Sequence, residues 1–177
     1  MKVYLVRHTS VCLPKGTCYG WSDVGLNDTF QAEADSVLRA LPQDIRFDAV
    51  YTSPLTRCVR LAEYCGHPDA VPDVRLKEMN FGDWELKPYD NITGSYAEQW
   101  YNDYLNMPAP GGESFRQLYA RVAEFLDSLK NRQDIRNVLV FAHGGVLACA
   151  GIYSGEVRFE NAFSSAVPYG GMTVIEI

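Results

Sequence analysis

The sequence predicts an α/β fold, a three-layer α/β/α sandwich around a mostly parallel sheet. Three observations lead there. Short apolar runs, MKVYLV and NVLVFA chief among them, are rich in β-branched residues and read as buried strands. Between them lie longer segments whose apolar residues recur at helical spacing. Alternation of the two types implies parallel strands joined by crossover helices that cover both faces of the sheet.

The elements follow in order. Residues 2–6 form the first strand. Residues 9–29 carry Pro14, Gly16, Gly20, Gly25 and Asn27, and make a long loop of the kind that carries function in compact domains. Residues 30–41 (FQAEADSVLRAL) form a helix, with Asp28 or Thr29 as its cap. DAVYTS, residues 48–53, is a second strand. Pro54 then opens a helix through Tyr64, in the first helical position that proline favours. AVPDVRL, residues 70–76, is extended, and Pro72 restricts it to an edge or a lead-in.

Residues 79–94 form a loop that presents the aromatics Phe81, Trp84 and Tyr89. A helix covers 95–106, PAPGGES breaks it, and a second helix runs from Ser114 to Lys130. NVLVFA is a strand, a helix starts at Gly145, and GMTVIEI closes the chain as a strand. No repeat, low-complexity segment or linker interrupts residues 1–177, which read as one domain.

Composition excludes several function classes. With 47% hydrophobic and 21% charged residues the chain is globular rather than disordered. A net charge of −6 without a run of lysines or arginines disfavours nucleic acid as a partner. No stretch approaches the ~18 apolar residues of a membrane span, and Met1 runs straight into a strand without a signal-peptide pattern. A cytoplasmic protein is expected. Five cysteines in no CxxC pair suggest free thiols rather than a disulfide framework or a zinc site.

Chemistry concentrates at strand ends. Arg7-His8 closes the first strand, and His143, followed by Gly144-Gly145, closes NVLVFA. Arg57 lies one turn into the helix after the second strand, and Glu78 follows the third. In open α/β sheets ligands bind outside the carboxyl ends of the strands, so these residues converge on one edge. Two arginines and two histidines bias the pocket toward an anion, and the guanidinium fork matches phosphate oxygens. Backbone N–H groups after Gly144-Gly145 add donors. Lys15 and Tyr19 in the first loop are candidate substrate contacts. Spacing alone leaves Asp83 and Glu85 as competitors of Glu78, and Glu63 as a structural partner of Arg57.

The segments LVRHTS, SPLTRCVRLAE, LKEMNFGDWE, PGGES and VFAHGGVL, in this order, resemble the histidine phosphatase superfamily, whose fold is called phosphoglycerate mutase-like. Within it, VCLPKGTCYGWSDVGL is similar to the first loop of the α-ribazole phosphatases of cobalamin assembly. Trp21 stands where that branch has a smaller polar residue, and Leu86 where glycine is common. The resemblance implies a phosphomonoesterase acting through a phosphohistidine, without metal or other cofactor, on a small phosphomonoester such as α-ribazole 5′-phosphate.

It also implies roles. His8 is the nucleophile, and Arg7, Arg57 and His143, with Gly144, bind the phosphoryl oxygens. Glu78 is the acid and then the base, which calls for partial burial beside Phe81 or Trp84. Three alternatives stay open: a phosphatase of sugar phosphates or phosphoserine, a phosphoglycerate mutase, and a phospho-ligand-binding module without turnover. Association into a homodimer through an edge strand is open as well.

Overall fold

The computed structural model describes residues 1–162 and 166–177. Five strands, β1 (Lys2–Arg7), β2 (Ala49–Thr52), β3 (Val71–Pro72), β4 (Asn137–Ala142) and β5 (Met172–Glu176), form one sheet in the order β3-β2-β4-β1-β5. The first four are parallel, and β5 runs antiparallel along the outer edge of β1. The helices are α1 (Phe30–Ala40), α2 (Thr56–Tyr64), α3 (Ser95–Asp103), α4 (Phe115–Lys130) and α5 (Gly144–Tyr153).

Strand alternation sorts the core into two layers. Tyr4 and Val6 of β1, with Leu139 and Phe141 of β4, pack on α1 and α2 through Val37, Leu61 and their neighbours. Val3, Leu5, Val138 and Val140 point the other way, onto Trp100, Phe115, Leu126 and Val146 from α3, α4 and α5. Sheet between two helical layers is the predicted sandwich. The register places Arg7 beside Ala142, so β1 and β4 end side by side and deliver His8 and His143 to the same edge.

Several details differ from the sequence reading, each for a local reason. Pro54 precedes the helix rather than opening it. Leu55 is the N-cap, and the backbone N–H of Thr56 donates to the Asp23 carboxylate, 2.9 Å away. Thr29 stands at the N-cap of α1 but spends its hydroxyl on the Glu33 side chain, not on a backbone N–H. Segment 70–76 is a two-residue edge strand followed by a 3₁₀ turn, Val74–Leu76. α3 ends at Asp103, three residues before the predicted end. Trp84 is not an exposed loop aromatic: it is buried, 5.1 Å from the Trp100 ring. α4 starts as expected, with a capping box between Ser114 and Gln117.

The long first loop is tied down rather than free. Val11 bridges to Leu26, and the Ser10 backbone N–H donates to Glu33. The N–H groups of Trp21 and Ser22 both donate to the Glu85 carboxylate. Gly20 passes so close to the Met79 carbonyl that a Cβ there would lie 1.7 Å from the oxygen, so no other residue fits without moving one of the two loops.

Candidate active site

β1 ends on a histidine whose ring geometry is fixed by the chain's next residue. His8 Nδ1 lies 2.7 Å from the carbonyl of Thr9, an acceptor, so Nδ1 carries the proton. Nε2 is then the lone-pair nitrogen, with no hydrogen-bond partner among the described residues. Burial, then the charge of Arg57, pulls the His8 pKa down to about 3; the Thr9 carbonyl opposes this and Arg7 adds to it. The ring is therefore neutral, and its free nitrogen carries no proton at physiological pH.

His143 sits 5.1 Å from His8, ring centroid to ring centroid. Its Nδ1 accepts from Arg57 Nε at 3.3 Å, which places its proton on Nε2 for donation to Ser53 Oγ at 2.7 Å. Burial and then Arg57 hold its pKa well below the ordinary value. Arg57 is fully buried and does not pair with Glu63, which goes to Arg60. It donates to the carbonyls of Gly20 and Ser22, at 2.6 and 3.0 Å, and so anchors the first loop. Three of its five N–H donors are thus used.

Arg7 is held from two sides. Nη1 donates to the Val167 carbonyl at 2.6 Å, and the guanidinium lies over the Tyr169 ring, 4.1 Å from its centroid. Its Nε is buried without a partner among the described residues. A buried donor of a charged group left without a partner is costly, and Arg7 shares its cavity with His8.

Glu78 enters from the opposite wall and is half-buried. One carboxylate oxygen accepts from the Met79 N–H at 2.8 Å, and the other from the Gly145 N–H at 3.0 Å, in the first turn of α5. A Cβ on Gly145 would lie 2.3 Å from Glu78 Oε1, so glycine makes room for the acid. That donor of α5 therefore serves Glu78 and is not free for an anion, a departure from the sequence expectation. The competing carboxylates have structural duties. Glu85 binds the N–H groups of Trp21, Ser22 and Phe81, and Asp83 packs against Gly111.

These groups surround a cavity of about 330 Å³ lined by Arg7, His8, Tyr19, Glu78, Gly144 and Tyr169, among others. Arg57 and His143 stand behind the wall rather than in it. Lys15 is exposed on the first loop and does not line the cavity, although Gly16 next to it does. Tyr19 and Tyr169 join hydroxyls at 2.7 Å beside His8. Tyr169 escaped the sequence reading: it follows Pro168 in a segment without periodicity, and only its stacking on Arg7 marks it. Trp21 faces away, under the ammonium of Lys77.

Adjoining the cavity is an apolar one of about 250 Å³, walled by Met79, Phe81, Tyr89, Trp100 and Tyr104, the first three being common to both. A larger opening, about 840 Å³, lies at the amino ends of the strands near Lys2, Asp48 and Asn137, away from both histidines. Among the described residues no cluster of His, Cys, Asp or Glu is placed to hold a metal ion, and no helix is long and apolar enough to cross a membrane.

The depressed histidines make an expectation for stability. The unfolded chain binds protons at both histidines near pH 6.5, whereas the folded chain resists until about pH 3 at His8. Stability is therefore complete above that range and lost as pH falls through it. His8 should cost about 2–3 kcal/mol between pH 7 and 4.5, and His143 adds to the loss in the same direction. Urea midpoints across that range measure it. His8→Asn should be distinctly less acid-sensitive than the parent, and parallel curves would contradict the assignment.

Comparison with known proteins gives a consistent result. A family model described as histidine phosphatase superfamily (branch 1) matches residues 3–177. An adenosylcobalamin/α-ribazole phosphatase of Salmonella typhimurium is 31% identical over 155 residues, covering 84% of this chain and 76% of that protein. A 2,3-bisphosphoglycerate-dependent phosphoglycerate mutase of Methylobacterium is 35% identical over 141 residues, 72% of this chain and 67% of the mutase. The crystal structure of the α-ribazole phosphatase from Shigella flexneri superposes with a TM-score of 0.88 at 27% identity, covering 100% of this chain and 91% of that one.

Proposed function

The chain belongs to the histidine phosphatase superfamily, and from that premise we propose that it is a phosphomonoesterase working through a phosphohistidine, with α-ribazole 5′-phosphate as its substrate. One observation carries the reading. His8 is neutral, its Nδ1 proton is committed to Thr9, and its free Nε2 and the side chain of Arg7 belong to the lining of one cavity. A phosphoryl group in that cavity meets the nitrogen lone pair of His8 and the guanidinium charge of Arg7 together.

In this reading the reaction has two displacements. Nε2 of His8 attacks phosphorus, and the ester P–O bond breaks. The departing alkoxide takes a proton from Glu78. Water next attacks the phosphohistidine, gives its proton to the Glu78 carboxylate, and releases inorganic phosphate. Two displacements replace one difficult one. Arg7 binds equatorial oxygens directly, and Arg57 holds its remaining donors and its charge just behind. Electrostatic stabilisation of this kind supplies most of the catalysis in phosphoryl transfer. His143 fixes the orientation of Arg57 and shields the back of the His8 ring.

The adjoining apolar cavity favours an alcohol that carries a flat aromatic group over a glycerate. Its walls are aromatic rings and a methionine, which suit a heterocyclic base and include no cation to pair with a carboxylate. Hydrolysis is favoured over mutase action because a mutase must keep water from its phosphoenzyme, and Tyr89 and Tyr169 at the cavity are each about two-fifths exposed.

Phosphate release in the presence of EDTA tests the proposal, with α-ribazole phosphate, 3-phosphoglycerate, phosphoserine and sugar phosphates in the panel. We expect kcat/KM for α-ribazole phosphate to exceed the others by about 10–200-fold, the range hydrophobic discrimination supplies. Uniformly slow release keeps the phosphatase and withdraws the substrate. Release from none of them leaves a phospho-ligand-binding module.

A further inference from the structure

Glu78 stands on a segment that belongs to neither sheet nor helix. What holds it is a side chain from α4. Arg121 Nη1 donates to the carbonyls of Arg75 and Lys77, at 2.8 and 2.6 Å. Its Nη2 donates to the carbonyl of Glu78 itself, at 2.7 Å. The same guanidinium forks onto Glu113, with Nη2 at 2.6 Å and Nε at 3.2 Å from the carboxylate oxygens. Glu113 in turn grips the chain on the other side of Glu78. Its carboxylate accepts from the Asn80 N–H at 2.8 Å, and its own N–H donates to the Asn80 carbonyl at 2.9 Å.

We propose that Arg121 and Glu113 are positioning residues for the acid: a buried ion pair that clamps residues 75–80 on both sides of Glu78 and sets where its carboxyl meets the leaving oxygen. The proposal rests on the reading of Glu78 as the acid. Both side chains are largely buried, at 16% and 13% exposure, so the pair is shielded from solvent and salt. A planar guanidinium with five donors can serve three carbonyls and a carboxylate at once, which a lysine ammonium with three cannot. Neither side chain lines the catalytic cavity. Both act only through the backbone that carries Glu78.

A structural brace and a positioning device differ in one readout. An ester with a poor leaving group needs the acid, and a nitrophenyl ester hardly does. If the clamp positions Glu78, Arg121→Met lowers kcat/KM for an alkyl phosphate by about 10–100-fold, the cost of misplacing a reacting group by about an ångström. It should leave the nitrophenyl ester within a few-fold of the parent. Added to Glu78→Gln, it should then cost little more, since the acid is already gone. Equal losses on both esters, or losses that add fully in the double variant, would overturn the proposal.

Should Arg121→Met not fold, Glu113→Gln keeps the shape and removes the ion pair, and the same leaving-group ratio decides. Glu78→Gln alone is the control. If it shows no leaving-group dependence, the acid assignment fails rather than the clamp.

Discussion

His8→Ala should lose its phosphoenzyme altogether, and turnover should fall by about 10⁴-fold or more, as with other removed nucleophiles. The structure leaves no substitute. His143 is the only other histidine at this edge, and both of its nitrogens are engaged, with Arg57 and with Ser53. His67 packs against Phe47 and Phe141, in the layer of α1 and α2. A rapid alkaline, denaturing quench after mixing with ³²P-labelled substrate preserves the intermediate and reads it directly. An acid-labile, base-stable label surviving in the variant would falsify the assignment of His8.

Glu78→Gln is expected to slow hydrolysis of alkyl phosphates by about 10²–10⁴-fold, the usual contribution of a general acid. The glutamine amide keeps a carbonyl oxygen for the Met79 or Gly145 N–H, so the loop should stay in place while the proton is lost. For a nitrophenyl ester the first step should hardly change, because the phenolate leaves without help. Phosphohistidine hydrolysis still needs the base, so a burst of nitrophenol followed by a slow steady rate is the signature. Proportional losses on both esters without a burst would remove Glu78 from the role.

Much of this was legible in the residues. The two apolar runs that become β1 and β4 are uniformly hydrophobic because they are covered on both faces, and their ends carry His8 and His143. What eluded the reading depends on contacts between distant segments. Arg57 looks like a cavity arginine in sequence, yet its donors go to Gly20 and Ser22, which no spacing rule pairs with it. Arg121 reads as one more charge on an amphipathic helix until its carbonyl partners are seen. Trp84 lies in a polar loop and still enters the core, because Trp100 of α3 comes down on it.

Leu86 shows the same limit from the other side. In sequence it is only a departure from glycine, and the structure supplies the reason for that glycine: φ is +65°, the left-handed region that costs other residues about 1–2 kcal/mol. Its N–H donates to the Cys18 carbonyl at 2.7 Å, which helps to hold the turn in place.

The strand order has a consequence for how the protein is made. Of the five strands β1 is made first, but its neighbours are β4 and β5, with Lys2 paired to Asn137 and to Glu176. Until β4 and β5 have been made, Val3, Leu5 and Val6 therefore belong to a nascent apolar strand with both edges open. Such pairings pay loop-closure entropy late and fold slowly, and an open edge invites pairing with other chains. The strand that delivers His8 gains its two partners last, and the cavity beside it is assembled only after β4 and β5 have been made.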